Sequence, residues 1–235
     1  SYNRLSELDL SSNQLLTELG VRDNSLDSID ISFNAALADL QAGRNLLASL
    51  NLNGNPALVR LSAEHNRIEV LDLSHNPALE TIELQNNPLS GLNLGENNLN
   101  NLKTLNLDGC RLPLSTLYGL SGKAVRGRLG RQENVLFEHL SLTQGQGLDL
   151  SAEALIDGTP TTFMALTEKK RRVRPDQYQE DQGLLTFKAP GKYLVEMSNE
   201  KVFSSETNEL TGRVRKFKVK VITGLIEVGP SAGEF

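Results

Sequence analysis

The chain has 235 residues, a formal net charge of −5, 38% apolar and 5% aromatic residues, no Trp and one Cys. That length suits one large domain or two ordinary ones, with enough apolar residues for a core. No apolar run approaches the roughly 20 residues of a membrane helix. A single Cys excludes an internal disulfide framework or a multi-cysteine metal knuckle, and the acidic balance argues against a dedicated nucleic-acid binder.

Composition changes along the chain. Residues 1–121 hold 30 Leu and 18 Asn, the remaining 114 only 13 Leu and 3 Asn. The first part carries 7 basic and 14 acidic residues (net −7), the second 17 and 15 (net +2). Two regions obeying different rules predict two domains, with a boundary at Ser121–Gly122 where the Leu pattern gives way to a Gly/Arg-rich stretch.

The first region repeats. LSELDLSSNQL, LTELGVRDNSL, LDSIDISFNAAL and LADLQAGRNLL open a series that runs to LKTLNLDGCRL. Its register is marked by Asn13, Asn24, Asn34, Asn45, Asn55, Asn66, Asn76, Asn87 and Asn97, spaced alternately 11 and 10 residues apart, so the period is 21. After Asn97 the step is 13 and Cys110 takes the Asn position, where it reads as a buried structural thiol. Alternation in Leu8-Asp9-Leu10 turns two leucines inward and one side chain outward. Each buried Leu contributes roughly 1.5–3 kcal/mol before entropy, but only stacked coils can bury them. The Asn column needs no ligand, because an amide can satisfy backbone groups where the chain turns.

These motifs resemble the leucine-rich repeat family, LxxLxLxxN/CxL, over about half the chain. The 10/11 alternation is similar to a nested-period class of bacterial repeats in which both halves of the coil carry a strand-like LxL. Two outward columns follow. Asp9, Asp30, Asn51, Asp72 and Asn93 barely vary, as a scaffold column would. Gly20, Gln41, Ser62, Glu83 and Asn106 change at every step, as do the flanking Glu18, Arg22, Asp39, Arg60, Glu64, Thr81 and Gln85. The candidate partner-binding set is therefore Glu18, Arg22, Asp39, Gln41, Arg60, Ser62, Glu64, Thr81, Glu83 and Gln85. The resemblance implies that this better-kept half lines the concave side. Calcium on the Asp column is not expected, since one Asx per coil, about 4.8 Å from the next, falls short of six to eight oxygens at one point.

Leu112–Leu120 is expected to form a short helix that caps the array, with Pro113 in its first turn. Ser1-Tyr2-Asn3 precedes the first repeat with no capping sequence, so an upstream continuation of the natural chain is expected. In the second region, 134–142, 161–168, 184–188, 192–198 and 213–222 read as strands, with Phe217, Val219 and Val221 facing one way and Lys216, Lys218 and Lys220 the other. Pro160, Pro175 and Pro190-Gly191 punctuate them, which suggests a sandwich over 122–223 and a linker or tail over 224–235. TFKAPGKYLVEMSN resembles the pGxYxVxxxN stretch of Ig-like and PKD-like bacterial surface modules, with Tyr193 as its tyrosine and Asn199 as its closing Asn. The run Glu168-Lys169-Lys170-Arg171-Arg172-Val173-Arg174 reads as an exposed loop or strand edge, with a glycan or phosphate contact as the alternative.

No Gly-rich phosphate loop, HExxH or GxSxG is present, and nothing in the sequence joins Cys110 to a His and a carboxylate. The reading is mainly β: a leucine-rich repeat solenoid with parallel sheets followed by an Ig-like β-sandwich, with no enzymatic activity, cofactor or metal. Composition alone implies a binding scaffold. The resemblance implies an internalin-like or adhesin-like module of a secreted or surface-attached bacterial protein. Its partner would be a protein, host or extracellular-matrix in origin, and the chain a monomer. Glycan or cell-wall binding through the sandwich, or a targeting role in a larger enzyme or effector, stands as the alternative.

Overall fold

The computed structural model describes residues 3–95, 101–120, 126–207 and 213–230. Asn97, the Ser121–Gly122 boundary and the last five residues lie outside them. For Lys216, Phe217 and Lys218 the backbone alone is described, so the predicted alternation there is not tested.

The repeats stack as coils of a β-solenoid. In chain order the first region forms β1 (Glu18–Gly20), β2 (Asp39–Gln41), β3 (Arg60–Ser62), β4 (Val70–Asp72), β5 (Thr81–Glu83), β6 (Gly91–Asn93) and β7 (Thr104–Asn106). Helix α1 (Leu114–Leu120) and β8 (Arg126–Arg128) follow. β1, β2, β3, β5, β7 and β8 pair in parallel in that order, and β4 pairs with β6 on the other side of the coils. β1, β2, β3, β5 and β7 each turn one apolar side chain inward. Leu19, Leu40, Leu61, Ile82 and Leu105 form that buried column.

Two amide ladders run along the interior, and they are not equivalent. The first lies just past the solenoid sheet. Asn66 Oδ1 accepts the Leu47 N–H at 3.0 Å, and its Nδ2 donates to Ala42 O and Ala63 O, each at 3.0 Å. Asn45 and Asn87 repeat the three contacts one coil before and after. In the second ladder Asn34, Asn55 and Asn76 donate to carbonyls of the preceding coil, including that of the preceding ladder Asn. Their Oδ1 atoms are buried and receive no hydrogen bond.

The parallel ladder carries on past α1. Thr104, Leu105 and Asn106 pair with Arg126, Gly127 and Arg128. Gln132 then takes the Asn position, accepting the Leu112 N–H at 2.9 Å and donating to Leu107 O and Leu129 O. Thus α1 lies within a coil, and the free edge of β8 is covered by a strand from the second region.

That region contains β9 (Arg131–Thr143), β10 (Gly147–Asp149), β11 (Leu155–Ile156), β12 (Thr159–Pro160), β13 (Thr162–Thr167) and β14 (Tyr178–Asp181). β15 (Leu184–Phe187), β16 (Gly191–Ser198), β17 (Phe203–Thr207), β18 (Val214–Lys218) and β19 (Lys220–Gly229) complete it. β17 pairs antiparallel with β8 and with β18, which extends the solenoid sheet to eight strands. β13, β16, β19 and β9 form a mixed sheet, antiparallel except for the parallel β19–β9 pair. β10, β15 and β14 form a three-stranded antiparallel sheet. Residues 224–229, which the sequence suggests as linker, are strand, with Ile226 and Val228 buried. Gly224 sits inside a strand whose register shifts at Thr223, where the Thr223 hydroxyl accepts the Val195 N–H.

One buried apolar cluster runs from Leu10 to Val228 through both regions. Glu153 bolts the junction. Its carboxylate is buried and accepts the Ser115 N–H at 3.0 Å and the Ser115 hydroxyl at 2.7 Å, in the first turn of α1. No helix among the described residues is long and apolar enough to cross a membrane.

Two stability outcomes are expected. Asn66→Ala strands the Leu47 N–H, while Ala42 O and Ala63 O keep the Asn45 and Asn87 amides, and an unpaired buried group costs about 1–3 kcal/mol. Asn55→Ala strands no backbone group, because Ile31 O and Asn34 O still accept the Asn34 and Leu37 N–H groups, and it removes a buried acceptor that has no donor. Urea midpoints of the full chain should place Asn66→Ala clearly below Asn55→Ala, and equal losses would refute the inequivalence. Glu153→Leu should destabilise by about 2 kcal/mol and speed hydrogen exchange at the Ser115 amide. Unchanged exchange there would mean the bolt holds nothing.

Candidate functional site

Side chains alternate along a strand, so the residues flanking each buried Leu or Ile point outward and form rows across the sheet. One row is Glu18, Asp39, Arg60 and Thr81, and the next is Gly20, Gln41, Ser62 and Glu83, in register from strand to strand. Just past the strands the same periodicity sets Arg22, Gly43, Glu64 and Gln85 side by side, one per coil. The backbone ladder continues there, with Asp23 N–H to Gly43 O and Arg44 N–H to Glu64 O. All ten residues predicted as contacts thus fall on one face.

They are not equally available. Glu18, Gln41 and Arg60 are exposed, whereas Arg22, Asp39, Ser62, Thr81, Glu83 and Gln85 are half-buried. Glu64 is 1% exposed, so it is not a surface contact of the face as it stands. Neighbouring coils link the charges. Arg60 Nε lies 3.3 Å from Asp39 Oδ2, and the Ser62 hydroxyl donates to Glu83 Oε2 at 3.4 Å. Arg22 reaches over Gly43 to Glu64. The face also continues through Thr104 and Asn106 of β7 to the exposed Arg128 of β8. The ten-residue set omits these three, and the sign that could have found Arg128 is Gln132, an amide in the ladder position four residues past its strand.

The monotonous Asp/Asn column has a local explanation. Asp9, Asp30, Asn51, Asp72 and Asn93 each accept the backbone N–H of the residue two further on, at 2.8–3.1 Å. These are turn-forming side-chain contacts, and the role is met equally by carboxylate or amide. The serine hydroxyl and N–H of each turn hold the Asp9, Asp30 and Asp72 carboxyls below the usual carboxylate range.

The chemistry-bearing residues are dispersed. Cys110 is buried, donates to Leu84 O at 3.5 Å, and its pKa is pushed up to about 12 by burial. It serves as a ladder donor rather than a thiolate. His65 contacts Asn86 on the solenoid-sheet side, His75 contacts Ser74 at the opposite turn, and His139 pairs with Glu227 in the second region. No group of three or more His, Cys, Asp or Glu that could hold a metal occurs among the described residues. The basic run lies in an exposed hairpin turn after β13, closed by hydrogen bonds between Thr167 and Arg171.

Comparison with solved structures places this architecture. The functional domain of InlJ from Listeria monocytogenes, which includes a cysteine ladder, matches with a TM-score of 0.64 and 22% identity. The match covers 96% of this chain and 46% of that one, so the chain spans about half its length. The likeness is one of fold. InlP from Listeria monocytogenes matches at a TM-score of 0.40 and 19% identity, over 92% of this chain and 67% of that one. No family model and no curated protein matches the sequence. In this chain a cysteine occupies a single ladder position, Cys110, between the Asn run and Gln132.

The lowered carboxyls set an acid limit. A group whose folded pKa is depressed stabilises the fold above its unfolded value of about 3.8, and the gain disappears as pH falls through the folded value. Replacing Asp9, Asp30 and Asp72 together by Asn keeps the turn acceptors and removes the titration. In unfolding scans between about pH 4 and pH 2.5, the triple variant should lose less stability than the parent. Parallel acid limbs would show that the turns do not carry this dependence.

Proposed function

We propose that the chain is the protein-binding part of a secreted or surface-attached bacterial protein, with its partner held on the outward face of the solenoid sheet. The observation that carries this reading is the contrast between the two columns. Every Asp or Asn of the monotonous column is used by its own turn. The rows on the solenoid sheet serve no such repeated purpose, yet change charge and size at each coil. Buried ladders fix the spacing of those rows, so binding on them requires little ordering of the chain. The contacts we assign are Glu18, Arg22, Asp39, Gln41, Arg60, Ser62, Thr81, Glu83 and Gln85, with Glu64 beneath them. Binding rather than catalysis is the activity assigned.

The second region is read as an Ig-like module that follows the last coil and serves as spacer or second contact surface. Two features support this. The Tyr193 hydroxyl donates to Ala189 O at 3.0 Å, four residues upstream, as in the tyrosine corner of Ig-type sandwiches. Phe187 of the three-stranded sheet stacks on Tyr193 of the four-stranded one, ring centroids 4.4 Å apart. Asn199 closes the following turn, bonding Thr159 O, Thr161 and the Lys201 N–H.

The test uses the intact chain, because a cut at residue 121 would separate β8 from β7 and divide the solenoid sheet. The immobilised chain is screened against an extracellular-protein library and a glycan array, beside an Arg60→Ala/Glu83→Ala variant of unchanged melting temperature. Capture of a protein that is weakened at least tenfold in the variant is the expected result. Protein capture indifferent to the variant would remove the site from this face. Glycan signal lost only on changing Lys169 and Arg171 would move the activity to the basic turn of the second region.

A further inference from the structure

The row Arg22, Gly43, Glu64, Gln85 contains a notch. A Cβ at Gly43 would collide with the carboxylate of Glu64, which lies back over the glycine into the space a side chain would fill. There it meets Arg22 of the coil beyond, Nη1 standing 2.7 Å from Oε1. Neither carboxylate oxygen receives a directed hydrogen bond, so the contact is an ion pair whose N–H groups point elsewhere. In the next coil Gln85 Oε1 is also buried and without a donor. The Glu64 carboxylate is thus buried in the notch, covered by a cation whose own side chain is 41% exposed, and a second buried acceptor without a donor stands one coil further along the row.

A buried carboxylate without a counter-charge is strongly unfavourable, so the notch does not stay empty. Its present occupant shows which chemistry it takes. One carboxylate and one amide oxygen fall far short of the six to eight oxygens of a calcium site. The two unpaired oxygens of Glu64 suit a guanidinium, whose planar fork can donate to both. Arg22, anchored two coils away, meets Oε1 without directing an N–H at either oxygen. An arginine entering from above could direct its fork at both, while Arg22 returned to water it already touches.

We propose that this notch binds an arginine side chain presented by the protein partner, and that Arg22 is a resident stand-in which the partner's guanidinium displaces. The proposal rests on reading the solenoid sheet as the partner face. It places a desolvated charge pair within that face, the kind of contact that dominates binding energy where aromatic anchors are lacking.

The probe is an acetylated, amidated Gly-Arg-Gly tripeptide, titrated into the isotope-labelled full chain at low salt. Its isosteric, uncharged citrulline counterpart is the control. Shifts should concentrate at the Gly43, Glu64 and Gln85 amides with the arginine peptide and be absent with citrulline. Arg22→Ala removes the internal competitor. If Arg22 covers Glu64 about nine-tenths of the time, the apparent affinity rises about tenfold. Adding Glu64→Gln to that variant should abolish the response, and it leaves no buried unpaired carboxylate to threaten the fold. An Arg22→Ala titration no tighter than the parent's would overturn the proposal, as would a double variant that still binds. Should Arg22→Ala prove unstable, the arginine peptide must raise its melting temperature and the citrulline peptide must not; no rescue overturns the proposal equally. Because the titration uses no partner, its failure is distinguishable from a failure of the Arg60/Glu83 screen.

Discussion

The buried amide of Asn45, Asn66 and Asn87 is the contact on which the rest depends. A coil of 21 residues must reverse direction twice around a core of leucines, and each reversal leaves backbone groups facing inward with no sheet to pair them. One carboxamide per coil supplies two donors and an acceptor at that point, and it reaches across coils as well as within one. The spacing of the outward rows is therefore fixed from inside. The outward rows can differ from coil to coil while the buried amides keep the backbone in register.

The same requirement explains how the array is prolonged. Cys110 offers one weak donor where Asn offers two and an acceptor, and its thiol donates to Leu84 O. The Leu112 N–H two residues further on is satisfied from the following coil by Gln132, as the Leu47 N–H is by Asn66. The longer side chain of Gln restores the full three contacts, and the β8 strand ahead of it stays in register with β7. The solenoid sheet then needs an end. β17 supplies it by pairing antiparallel with β8, and Glu153 fixes the other side of the same coil through Ser115. The two regions differ in composition but share a sheet and a core.

Much of this was legible in the sequence, and the failures have physical causes. The 10/11 alternation of Asn and Leu defined the coil, the inward leucines and both outward columns, because a repeat writes the same constraint many times. Helix α1 was legible from Pro113 and the Leu114, Leu117, Tyr118 spacing. Beyond it each constraint is stated once. The parallel strand around Gly127 contains no apolar pair, and Gln132 does not look like Asn. Val219 separates β18 from β19 within what reads as one strand, and the segment from 224 reads as linker where Thr223 in fact satisfies a shifted register. Of the site, the face was legible and the burial of Glu64 was not. Burial there follows from a missing Cβ one coil earlier, and no residue near Glu64 in the chain announces it.

That last point bears on how specificity could be encoded on such a surface. In a solenoid, a residue's neighbours across the face lie 21 positions away, so a small residue in one coil makes room for a large one in the next. Gly43 does this for Glu64, and the resulting overlap lets Arg22 contact a residue 42 positions later in the chain. The Asp39–Arg60 pair spans adjacent coils with Arg60 exposed, where ion pairs contribute little, and Ser62–Glu83 is a hydrogen bond from a neutral hydroxyl. The Arg22–Glu64 pair skips a coil and is desolvated on one side, where the same charges interact far more strongly. A face that reads in sequence as evenly mixed charges therefore buries the acidic end of a charge pair where a glycine interrupts the row.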